Sequence, residues 1–123
     1  MNKATLYFAP DGFLLFDNDR AMALKKFCRP KSSPEDELRG AWYALGKGLE
    51  ELISDGFEFA ILLSPTKVID QLEGSPIDDV VVLKMKKEIV EKAFTKLLHV
   101  EKRKISYDEY GDHRARAENE LGG

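Results

Sequence analysis

A helix with a single apolar arc, handed by a glycine to a short apolar run, most narrows what this chain can fold into. At about 100° per residue, Leu38, Ala41, Trp42, Leu45, Leu49, Leu52 and Ile53 fall on one stripe. The helix runs to about Asp55 and stops at Gly56. Phe57 to Leu63 follows, apolar except for Glu58, and is short enough to be a strand buried on both faces and the expected centre of a sheet. Glu37 projects inside the arc, on a flank of small residues made by Gly40, Ala41, Ala44 and Gly48. A carboxylate seated against a sheet needs a cation, a hydrogen-bond network or a metal, which makes Glu37 a candidate site residue. Ser33 as cap, Pro34 at the first helical position and the preference of a first turn for acids account for the same residue without any site.

The surrounding elements assemble around that pair. Ala4 to Ala9 and Phe13 to Phe16 form a hairpin about Pro10-Asp11-Gly12, and Asp17-Asn18-Asp19 turns the chain again. Ala21 to Cys28 is compatible with a third strand or a short helix, and Arg29 to Pro34 is a loop. After the buried run, Ser64 caps a short helix through Leu72 that Gly74 ends. A further helix runs to about Leu98 on Met85, Ile89, Val90, Phe94 and Leu97, and Val80 to Leu83 is either its start or a short strand. A last strand is expected within Val100 to Ser106 and a terminal helix capped by Asp112 through Leu121, which leaves Tyr107-Asp108-Glu109-Tyr110 as an acidic, aromatic loop or docking segment, the loop preferred. Antiparallel strands first and helix-separated strands later imply an α/β (mixed α+β) fold: a mixed sheet with an N-terminal antiparallel hairpin and helices on both faces.

The 123 residues, 43% hydrophobic, suit one domain spanning residues 1–123. Its apolar runs are too short to span a bilayer, and MNKATLYFAP lacks the continuous apolar core of a signal peptide, so a cytoplasmic protein with no membrane partner is expected. The single cysteine, Cys28, excludes an intrachain disulfide, and with only His99 and His113 there is no zinc cluster. A Cys28 nucleophile assisted by either histidine is a weaker reading than a small strand residue. Asp17, Asn18 and Asp19 lack the remaining ligands of a calcium loop, and Gly46-Lys47-Gly48 lies inside a helix, where it cannot cradle phosphate. The net charge of −3 hides a segregation: residues 84–104 hold eight Lys and Arg against three Glu. That stretch could dock phosphates or an acidic protein surface, although solvated lysine-rich faces and gatekept edge strands carry the same composition.

Three segments resemble the ribonuclease H-like superfamily. EDELRGAWYALGKGLEELISDGF is similar to the family's acidic helix, AILLSPTKVIDQLEG to its central strand and following short helix, and ARAENEL to its closing helix. The resemblance implies carboxylates converging from the first strand, the acidic helix, the central strand and the last helix on two Mg²⁺ ions that clamp a scissile phosphate. Glu37 matches the helix position. The first-strand position falls near Ala9, with Asp11 two residues on; the central-strand position falls on Ser64, and Glu118 stands at the last. The opening ATLYFAPDGFLLFDND also resembles the first, non-catalytic domain of the archaeal scaffold protein that partners fibrillarin in box C/D ribonucleoproteins.

The missing central carboxylate predicts a degenerate site. The expectation is therefore a non-catalytic interaction domain without cofactor that binds a protein or nucleoprotein partner, with Lys86, Lys102, Arg103 and Lys104 as partner- or nucleic-acid-binding residues and a homodimer open. The alternative is a Mg-dependent nuclease using Asp11, Glu37 and Glu118 as catalytic residues, with Asp11 and Glu37 on the metal. Asp70 lies about two helical turns beyond the strand end, roughly 9 Å along an axis, too far to share an ion with a ligand at that end.

Overall fold

The computed structural model describes residues 2–28, 37–76 and 81–122. These form strands β1 (Lys3–Ala9), β2 (Gly12–Asp17) and β3 (Met22–Cys28), helix α1 (Glu37–Ser54), strand β4 (Phe59–Ser64), helices α2 (Val68–Leu72) and α3 (Val81–Phe94), strand β5 (His99–Lys104) and helix α4 (Tyr107–Leu121). The sheet order is β3-β2-β1-β4-β5. The first three strands pair antiparallel, whereas β4 joins β1, and β5 joins β4, in parallel. This is the expected mixed α/β sheet, with α1, α2 and α3 on one face and α4 on the other. The cap assigned to Ser33 and Pro34 and the loop at 29–34 lie outside the described residues. No helix among the described residues is long and apolar enough to cross a membrane.

The middle strand is β1 rather than the Phe57–Leu63 run. Ala4 to Ala9 are all buried, because Leu6 and Phe8 pack under α1 while Tyr7 and Ala9 pack under α4. β4 is interior, between β1 and β5. The ambiguous segment is strand β3. Its Met-Ala-Leu-Lys-Lys composition suits a helix, but the ladder to β2 and the stacking of Phe27 on Phe13, with ring centroids 6.2 Å apart, outweigh local propensity. Gly12 opens β2 at φ +145°, and a Cβ there would run into the Phe27 carbonyl, so the hairpin turn and the β2–β3 pairing both require glycine.

α1 sits on the sheet through its apolar stripe. Ala41, Trp42, Leu45, Leu49 and Leu52 are buried, and Leu38 and Ile53 pack at the margin of the same core. At Gly48 the helix backbone comes so close to β1 that an added Cβ would lie 2.5 Å from a Leu6 methyl. Trp42 donates its indole N–H to Gln71 Oε1 at 2.9 Å, a buried bond that ties α1 to α2.

Three boundaries differ from the sequence reading. Ser64 is the last residue of β4 and does not cap α2, which begins at Val68 with no side-chain cap; the Ser64 hydroxyl instead exchanges a 2.8 Å bond with the Thr66 hydroxyl and accepts from the Thr66 N–H. α3 starts at Val81, which makes Val81 to Leu83 helical, and it ends at Phe94 instead of Leu98, because the Leu98 N–H is drawn to the Glu58 carbonyl at the sheet. Helix α4 begins at Tyr107, not after Asp112: Ser106 accepts from the Glu109 N–H at 3.1 Å, so the Tyr107–Tyr110 segment is the helix's first turn and not a loop.

Gly12→Ala is expected to destabilise the fold by about 2–3 kcal/mol, through strain and loss of the β2–β3 approach. Gly111→Ala, in α4 with open space where its Cβ would go, is expected to be neutral or to stabilise by up to about 1 kcal/mol. Urea denaturation of the two variants checks both signs.

Candidate functional site

The carboxyl ends of the parallel strands β1 and β4, where α/β sheets commonly hold ligands, carry Ala9 and Ser64. Helix α4 closes over the β1 end. One face of it presents Tyr107, Tyr110, Arg114 and Glu118, spaced by three or four residues. With Ala9, Pro10, Asp11 and Gly111, the first three of these line a cavity of about 240 Å³. Every carboxylate reaching this region meets a donor from α4. The Arg114 guanidinium forms an ion pair with Asp11 and lies 3.3 Å from Glu118, and the Tyr107 hydroxyl donates to Glu37. Tyr110, buried, donates from its hydroxyl to the Gly12 carbonyl at 3.4 Å and so holds the turn that carries Asp11.

The electrostatics follow from these contacts. Burial, then the hydrogen bond and charge of Glu37, then Asp11, push the Tyr107 phenol well above the ordinary tyrosine range. Burial followed by the Asp11 charge does the same to Tyr110. Both hydroxyls are therefore fixed donors at neutral pH. Burial raises the Cys28 thiol as well, which opposes a thiolate nucleophile.

Asp11, Glu37 and Glu118 thus all meet α4, but through Arg114 and Tyr107 instead of through a shared ion. Ser64 is fully buried and bonded to Thr66, and it offers no carboxylate. Among the described residues no group of three or more His, Cys, Asp or Glu side chains could hold a metal. The residues present therefore do not fit a two-metal centre. Asp70 is engaged elsewhere, 2.8 Å from the Lys104 ammonium.

The basic residues are distributed over several surfaces. Lys102 and Lys104 pair in register with Leu62 and Ser64, whereas Arg103 pairs with Leu63 and so lies on the opposite face of the edge strand. Lys102 lies over the Phe94 ring at 6.0 Å, and Lys86 on α3 lies over the Tyr43 ring at 5.3 Å. His113 stacks on Tyr7 with centroids 4.2 Å apart, while His99 sits on the edge strand beside Phe59 and Glu101. Asp17-Asn18-Asp19 is a turn: the Asp19 N–H donates to Asp17 Oδ1 at 3.0 Å, and Asn18 accepts from Thr5.

No protein-family model and no curated protein matches the sequence. Solved structures do match. RNase H1 from the halophilic archaeon Halobacterium salinarum superposes with a TM-score of 0.74 at 16% identity, covering 98% of each chain. The N-terminal RNase H domain of a Mycobacterium tuberculosis protein gives 0.73 at 13% identity, covering 89% of this chain and 91% of that one. An RNase H1 isolated from compost gives 0.70 at 17%, covering 97% and 92%.

The fold is ribonuclease H-like. Within it, Arg114 is the residue that sequence reasoning passed over, and Tyr107 and Tyr110, expected in a loop or docking segment, join it on one helix face. A signal was present: Ser106-Tyr107-Asp108-Glu109 has the capping-box spacing that starts a helix at Tyr107, and that start puts all three side chains on one face. The likeness of the opening hairpin to the fibrillarin-partner scaffold is not shown by these structural matches.

Arg114→Met is expected to cost about 1–3 kcal/mol by leaving half-buried Asp11 without its cation. Adding Asp11→Asn is expected to recover part of that loss, which a double-mutant cycle in urea would read as a coupling. A tyrosine whose pKa is raised by folding stabilises fully below the unfolded value, about 10, and loses that contribution as pH rises through the folded value. Stability is thus expected to hold from pH 7 to 9 and to fall above about pH 10. Tyr107→Phe should flatten that fall in a pH series of urea midpoints.

Proposed function

We propose that this chain is a non-catalytic interaction domain built on the ribonuclease H-like fold, which binds a protein or nucleoprotein partner. The observation that carries the reading is Arg114. A permanent cation on α4 satisfies Asp11 and Glu118, and where the family resemblance implies a carboxylate at the end of β4 there is buried Ser64. A guanidinium cannot clamp a scissile phosphate between two metal ions, and Ser64 cannot bridge them. The binding half of the reading is supported by the basic segment 84–104, carried on the exposed faces of α3 and β5.

The experiment is incubation of the protein with an RNA–DNA hybrid and Mg²⁺ or Mn²⁺, with backbone amide spectra recorded alongside. The hybrid is expected to stay intact, with no saturable metal shifts at Asp11 and Glu37. Cleavage that Glu37→Gln abolishes would overturn the reading in favour of a nuclease working through Asp11, Glu37 and Glu118. If the partner is nucleic acid, binding will weaken linearly in log–log form as salt rises. Charge reversal at Lys86, Lys102, Arg103 and Lys104 is then expected to remove binding without unfolding the domain.

A further inference from the structure

A groove runs between α1 and α3, away from the strand ends and on the other side of the sheet from α4. Trp42, Tyr43, Gly46, Lys47, Lys86 and Ile89 line it, with Glu50 at one end, around a volume of about 190 Å³. That is below the ~300–1,000 Å³ of small-molecule pockets, so the groove suits one anchoring side chain and not a whole ligand. Its α3 wall continues into an apolar stripe that the fold leaves exposed: Val82 at 45%, Met85 at 58% and Ile89 at 63%, at the three- and four-residue spacing of a helix-packing seam.

Gly46 marks the groove as more than a packing gap. A glycine inside a helix costs about 1 kcal/mol relative to alanine. Gly48 has a use that offsets this cost, since the Leu6 side chain fills the place of its Cβ; at Gly46 a Cβ would meet nothing within 4 Å, and no positive φ demands glycine there. What Gly46 provides is room for close approach from outside. The charges around that opening are unequal. Lys47 and Lys86 line it and Lys92 stands one turn beyond Ile89, against Glu50 alone on the lining. A second copy of α3 packed antiparallel, with Met85 opposite Ile89, would bring Lys86 towards Lys86 and Glu88 towards Glu88, so self-association through this stripe is disfavoured.

We infer that the α1–α3 groove is a docking site for an acidic amphipathic helix of a partner protein, one of whose apolar side chains enters beside Gly46. This rests on the reading of the chain as an interaction domain and names the partner chemistry of one of its surfaces. Trp42, the only tryptophan, lines the groove and reports on it directly.

The test uses two helical peptides of about 18 residues with leucines at i, i+3, i+4 and i+7, one with glutamates and its twin with lysines at the remaining positions. They are titrated while Trp42 fluorescence and the amides of Tyr43, Gly46 and Ile89 are followed. The glutamate peptide is expected to bind at least tenfold more tightly than its twin. Gly46→Leu is expected to weaken it at least tenfold at unchanged helical content. The pair Lys47→Glu and Lys86→Glu, at exposed Lys47 and half-buried Lys86, is expected to reverse the preference, and it carries the test if the leucine variant fails to fold. Equal affinity for the two peptides, no response to either, or an RNA–DNA hybrid shifting the same amides in their place would overturn the inference. None of these outcomes touches the non-catalytic reading, which fails only on metal-dependent cleavage.

Discussion

The seating of α1 on β1 is the contact on which the remaining architecture depends. Gly48 lets the helix backbone come down onto Leu6, and that approach brings the Trp42–Leu52 stripe into contact with both hairpin strands and into one core with β4. With one face of β1 closed in this way, α4 can close the other, and a strand buried on both sides becomes the middle of the sheet. Close packing makes such a seat unforgiving, since a core at native density leaves no room for even one added methylene. The Trp42–Gln71 bond carries the same constraint on to α2, and α3 packs against α1 in the same core.

At the strand ends the chain resolves an electrostatic problem with its own side chains. Carboxylates brought together at the end of a sheet repel unless cations or donors separate them. Here Arg114 and Tyr107, both from α4, supply that compensation, and Tyr110 fixes the turn from which Asp11 projects. The result is a constellation beside the end of β1 in which Asp11, Glu37 and Glu118 each have a hydrogen-bond donor from α4. Likeness to RNase H1 structures at 13–17% identity shows a shared scaffold, and a fold by itself does not assign a chemistry.

The basic segment is divided by geometry as well. Strand alternation sends Lys102 and Arg103 to opposite faces of β5, the Asp70 carboxylate takes up Lys104, and Lys86 lies over Tyr43 at the α1–α3 groove. Proximity in sequence gives these residues a common charge but not a common surface. The charges along β5 also shield an edge strand from pairing with another chain.

The residues alone were enough for the mixed sheet, the opening hairpin, the long helix and its apolar stripe, because periodicity and turn chemistry act locally and each of these elements is locally consistent. They also singled out Glu37, which meets Tyr107, and Ser64, which lies buried at the end of β4. The sequence also held the start of α4, in the capping spacing from Ser106 to Glu109, though Asp112 offered a rival cap. Tertiary structure alone decided that Met22 to Cys28 would be a strand, since a ladder to β2 overrides a helical composition, and that β1 and not β4 would occupy the middle. It alone brought Arg114 to Asp11 across 103 residues of chain. Side-chain type and spacing fix what a segment can form, but which charges meet depends on how helices dock across the sheet, and no local pattern encodes that distance.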